Sequence, residues 1–84
     1  MTLLQFLNQF VNWDEDQFVV YRRRTVDGKD VYDDFPLMTF RELCENHDIA
    51  SKLLNTKVVH IGADCGFDYD LGLHSYVVIN AEED

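Results

Sequence analysis

The sequence predicts a small α+β domain of order α-β-β-α-β-β, with an antiparallel sheet of about four strands and helices packed on one face. Three observations predict it. Two stretches carry helix-spaced apolar residues behind capping boxes, four short runs are rich in β-branched and aromatic residues, and those runs come in pairs joined by turn formers. Eighty-four residues make one domain, 1–84, with no room for a second core. A chain of this size buries only about 60–65% of the surface its unfolded form exposes, so modest stability is expected. An apolar share of 46% with eleven aromatic residues is ample for a core and argues against disorder.

The first helix is expected over 2–11. Thr2 with Gln5 three residues later fits a capping box, which satisfies N-terminal amides that have no partner within the helix. Leu3, Leu4, Phe6, Leu7, Phe10 and Val11 make the apolar stripe. After the acidic loop 12–17 (NWDEDQ), FVVYRRR at 18–24 reads as a strand. Alternation sets Phe18, Val20, Arg22 and Arg24 on one face, and the arginine half is expected to be an exposed end. Asp27-Gly28 is a hairpin turn signal, and DVYDDF at 30–35 returns as an acid-rich strand until Pro36. Thr39 and Glu42 form a second capping box, ahead of a stripe of Phe40, Leu43, Cys44 and His47. The stripe shifts at His47-Asp48, so a break into two helices is expected there, with Ile49, Leu53 and Leu54 turned inward.

Residues 57–80, KVVHIGADCGFDYDLGLHSYVVIN, form the final hairpin and are expected to be the middle of the sheet. Its long loop holds Gly62, Gly66 and Gly72 with Asp64, Asp68 and Asp70. Both faces of its strands are fairly apolar, so the sheet is either covered on both sides or leaves one face to a partner. The tail Ala81–Asp84 is expected to fray.

Sixteen acids stand against seven Lys and Arg, a net charge of −9, and three of those seven are the cluster Arg22–Arg24. Such a field repels nucleic acid and anionic membranes and steers basic partners in, so direct nucleic-acid binding is disfavoured. Asp30, Asp33 and Asp34 across the hairpin account for the arginine cluster without any nucleic acid. The N-terminus lacks the basic segment of a signal peptide, and no apolar run is long enough to span a membrane. A cytosolic setting with Cys44 and Cys65 as free thiols is the default expectation.

Specific chemistry finds little support. Asp68-x-Asp70-x-Gly72 has the start of a calcium loop without its further ligands or its closing Glu. Cys44, His47, His60, Cys65 and His74 lack the paired spacing of a zinc site. A Cys44–His47 or Cys65–His74 dyad would need a pocket that so small a fold rarely provides. The expectation is therefore a protein with no metal, no cofactor and no catalytic residue.

What stands out is the grouping of acids on loops and ends, interleaved with aromatics. Carboxylates on a rigid frame can imitate a row of phosphates and fill the basic channel of a nucleic-acid-handling protein, with aromatic side chains as anchors. The residues expected to meet such a partner are Asp14, Glu15, Asp16, Asp64, Phe67, Asp68, Tyr69 and Asp70. The alternatives are an assembly or accessory module, a homodimer among them, that uses an apolar sheet face, and a small metal-binding or thiol enzyme.

The opening MTLLQFLNQF, the strand FVVYRR, the DG turn, the capped helix ending LLNTKVV and the last strand SYVVIN together form a pattern. It resembles short acidic proteins of phages and mobile elements of Firmicutes, over most of the chain. Some of those proteins are anti-CRISPRs or other anti-defence inhibitors, often DNA mimics. The resemblance implies a job of that class in the host cytosol, with a CRISPR effector as the kind of target, and it implies no site residues.

Overall fold

Thr2 opens the first helix as expected: its hydroxyl accepts from Gln5 N–H while the Gln5 side chain returns to Thr2 N–H. In the computed structural model, which describes residues 1–68 and 72–83 and only the backbone at 67, 68 and 72–74, that helix is α1 (Leu3–Phe10). Leu3, Phe6 and Leu7 are buried, whereas Leu4 and Phe10 on the same expected stripe are exposed. The chain continues as β1 (Gln17–Val26), β2 (Lys29–Asp34) and a short β3 (Met38–Thr39). Then follow α2 (Phe40–Glu45), α3 (His47–Leu53), β4 (Lys57–Asp68) and β5 (Gly72–Glu82).

The expected break between two helices lies at Asn46. Its side chain accepts from Ile49 N–H and caps α3, so the restart comes before Asp48. Thr39 and Glu42 form the capping box of α2. His47, placed on the apolar stripe by spacing, is exposed.

β1 and β2 are joined by Asp27 and Gly28 alone, with Val26 opposite Lys29. Both turn residues have positive φ, 53° and 77°, the geometry whose twist matches that of the flanking strands. Gly28→Ala should cost roughly 1 kcal/mol in urea unfolding, because the methyl group is strained in a left-handed backbone even though open space surrounds it.

The five strands form one mixed sheet in the order β2-β1-β5-β4, with β3 pairing the start of β1. Both hairpins are antiparallel as expected, but β1 and β5 run parallel. The reason is apolar content on both faces: Phe18, Val19 and Val20 pair in register with Val77, Val78 and Ile79. The last hairpin is therefore not the middle of the sheet. Its β5 is central and its β4 is an edge. The expected fraying at Ala81 is also corrected: Ala81 is buried in β5, and Glu83 N–H donates to Arg23 C=O.

The helices cover one face only. Leu3, Leu7, Phe18, Val20, Leu43, Leu53 and Ile79, all fully buried, belong to one core cluster. By strand alternation the opposite face carries Val19, Tyr21, Tyr32 and Val78. Val19 is buried there at 9%, whereas Tyr21 and Tyr32 remain 37% and 67% exposed.

Candidate functional site

β1 pairs β5 only from Val77 onward, whereas β4 pairs it from the other end of the hairpin. Asp64 faces Tyr76, Cys65 faces Ser75, Gly66 faces His74, Phe67 faces Leu73 and Asp68 faces Gly72. The segment expected to be a long loop is thus a two-stranded arm running out from the sheet, in a molecule 42 Å along its longest axis. Cross-strand pairing overrides the turn preference of Asp and Gly there. Tyr69 and Asp70 lie outside the described residues.

The second expected cluster is a structured loop. Asn12 Oδ1 accepts from the N–H groups of Asp14 and Glu15, at 3.1 and 3.2 Å, and Asn12 N–H donates to Asp16 Oδ2 at 2.8 Å. Asp14 pairs with Arg41 at 3.3 Å, and Arg41 N–H donates to Trp13 C=O. The Trp13 ring meets Phe40 edge-on at 4.9 Å, which ties the loop to α2. The Asp16 carboxylate thus serves its own loop and that of Asp14 pairs with α2, while Glu15 has only its backbone engaged in these contacts.

The fold brings this loop to the base of the arm. Glu15, Asp16 and Gln17 line an open cleft of about 430 Å³ with Ala63, Ser75, Tyr76 and Val77. Burial, followed by the nearby Asp64 carboxylate, raises the Tyr76 phenol above its usual pKa, so the ring presents a neutral hydroxyl. Asp64 also accepts from Cys65 N–H at 2.8 Å. Glu15 and Asp16 therefore lie beside the base of the arm that carries Asp64, while Asp14 is partly neutralised.

The arginine cluster is consumed internally. Arg22 places Nε and Nη2 on Asp33 Oδ2 at 3.2 and 2.8 Å, and Nη1 on the Lys52 carbonyl at 3.3 Å, near the C-terminus of α3. It also lies over the Phe35 ring and is only 8% exposed, against the expectation of an exposed arginine end. Arg24 Nε holds the same Asp33 oxygen at 2.8 Å, while Arg23 pairs with Glu82 and, at 3.6 Å, with Asp30. Hydrogen bonds from Arg24 and Arg22 depress the Asp33 carboxyl to about 2. Asp34 stands opposite Tyr21 and joins no ion pair among the described residues.

Among the described residues no three His, Cys, Asp or Glu side chains come together as a metal site, and no helix is long and apolar enough to cross a membrane. Cys44 is half-buried, which raises its thiol pKa, and Cys65 is exposed on the arm. Sequence reasoning left undecided the uncovered sheet face, whose Tyr21, Tyr32 and Val59 line a shallow cleft of about 220 Å³ with Arg23, Asn80 and Glu82. The period-two alternation of FVVYRRR was its signal. No family model, curated protein or solved structure matches the chain.

Proposed function

We propose that this protein is a non-enzymatic inhibitor that occupies the basic surface of a nucleic-acid-handling protein, with carboxylates standing in for phosphates. The observation that carries this reading is where the charge goes. All four arginines are paired with six acids of their own chain: Asp14, Asp30, Asp33, Glu45, Glu82 and Glu83. Among the described residues Glu15, Asp34 and Asp64 join no ion pair, and the chain as a whole carries a net charge of −9. Glu15 and Asp16 line the cleft at the base of the arm, Asp64 stands on the arm opposite Tyr76, and charge of that sign speeds encounter with a basic channel. The resemblance points to a phage or mobile element acting in the bacterial cytosol, with a CRISPR effector as the target class.

The test is retention of a nucleic-acid enzyme from host lysate on the immobilised chain, followed by titration of the purified pair. Affinity should fall about a hundredfold between about 50 and about 200 mM salt, and duplex DNA should compete. Replacing Asp64, Asp68 and Asp70 together by Lys should weaken binding at least about tenfold. Binding indifferent to salt, to DNA and to these changes would remove the reading.

A second reading, an assembly module, is favoured by one observation: on the sheet face away from the helices Tyr21, Tyr32 and Val59 are exposed. Binding through that face should be lost on Val59→Arg and hardly respond to salt.

A further inference from the structure

We propose that Asp34, with Tyr21 and Tyr32 beside it on the sheet face away from the helices, receives an arginine side chain of the basic partner. This rests on the functional reading above and names the group that the partner presents.

β2 and the residue after it pair a carboxylate with an aromatic ring twice, once on each face. On the helix side, Asp33 and Phe35 stand two residues apart and share one guanidinium. Arg22 donates to Asp33 at 2.8 Å and lies over the Phe35 ring at 5.4 Å. On the other side, Tyr32 and Asp34 also stand two residues apart, and Tyr21 faces Asp34 from β1. This second set has its rings and its carboxylate but no cation. Asp34 is exposed, and among the described residues its carboxylate joins no ion pair. Arg22 thus shows, within the chain, what this combination of groups holds when an arginine is supplied.

The surroundings leave such a side chain room. Tyr21 and Tyr32 are diagonal neighbours across the strand pair, within reach of one ligand group. They line the cleft of about 220 Å³ with Val59, which offers apolar contact to an arginine's methylene stem. β2 is the outer strand of the sheet, so the approach to Asp34 is open from its edge. The cation already in that cleft, Arg23, is held by Glu82 and Asp30 and leaves Asp34 unneutralised.

The chemistry favours arginine over lysine. A planar, weakly hydrated guanidinium stacks on a ring while its N–H groups donate to a carboxylate, whereas an ammonium is a strongly hydrated point charge. A second copy of this chain is a poor source, because each of its four arginines is already paired with its own acids. A basic, nucleic-acid-handling surface supplies arginines freely.

The test is isothermal titration of the full chain with two homopeptides of equal length, one of arginine and one of lysine, at physiological ionic strength. The arginine peptide should bind at least about tenfold more tightly. Asp34→Asn and Tyr32→Leu should each remove most of that preference, and both positions are exposed, so the fold is retained. Tyr32→Phe, which keeps the ring, should keep the preference, and Glu15→Gln should weaken both peptides alike. Equal affinity for the two peptides would overturn the proposal, as would a preference that survives both Asp34→Asn and Tyr32→Leu. Either result leaves the functional reading to its own salt and DNA-competition test, since that reading asks only for cations. Binding of neither peptide would also overturn the proposal. So would a homodimer lost on Tyr32→Leu, which would assign this face to a second copy.

Discussion

Phe18→Ala is expected to lower the free energy of unfolding by about 3–5 kcal/mol, the range for truncating a fully buried phenylalanine. Phe18 is completely buried, faces the helices from the central strand, and is paired with Met38 on one side and Val77 on the other. Its ring is held between strands that cannot collapse inward without breaking those ladders, so the cavity term adds to the lost transfer energy. A domain of this size has only about 4–13 kcal/mol in hand, so the variant should be marginal or unfolded at room temperature. Urea unfolding should show a much lower midpoint with an unchanged slope. A loss below about 1 kcal/mol would mean that the core is not organised around β1.

The second large effect concerns the buried arginine. Arg22→Ala should cost about 2–3 kcal/mol, less than for a fully buried pair because Asp33 keeps Arg24. The loss comprises packing on Phe35, a charge-assisted bond to the Lys52 carbonyl and one partner of Asp33. The pH dependence isolates the electrostatic part. Asp33 has its folded pKa depressed to about 2, below the unfolded value of about 3.9. The folded form therefore binds fewer protons, so this contribution is fully present above about pH 4–5 and lost as pH falls through the folded pKa. Asp33→Asn should lower the urea midpoint near neutral pH, with the difference shrinking between about pH 4 and about pH 2. A difference constant across that window would assign the effect to packing instead.

Much of this arrangement is legible in the chain because the cues are local. The two capping boxes are interactions three residues apart, read directly from Thr2-x-x-Gln5 and Thr39-x-x-Glu42. The two-residue turn at Asp27-Gly28 sets Val26 opposite Lys29, and counting back from it places Arg22 opposite Asp33. That is why the arginine cluster could be matched to carboxylates without a structure. The arm is not legible as strand because Gly62, Asp64, Gly66 and Asp68 are poor strand residues taken singly. They become strand only because β5 supplies hydrogen bonds along the whole length. The candidate site was legible as residue clusters and not as an arrangement: nothing local says that Glu15 and Asp16 lie beside Tyr76.

The sequence by itself determined the capped helices, the two hairpins, the α+β class and the excess of negative charge. Each rests on spacing, capping or composition within a few residues. Only the tertiary structure decided that β1 and β5 run parallel at the centre, that Arg22 is buried under α3, and that β4 is an edge whose beginning is held by Met1 and Thr2. Those features depend on pairings between segments tens of residues apart. Once helix and strand are formed, it is the burial of Phe18, Val20 and Ile79 on one side of the sheet that selects among the possible pairings.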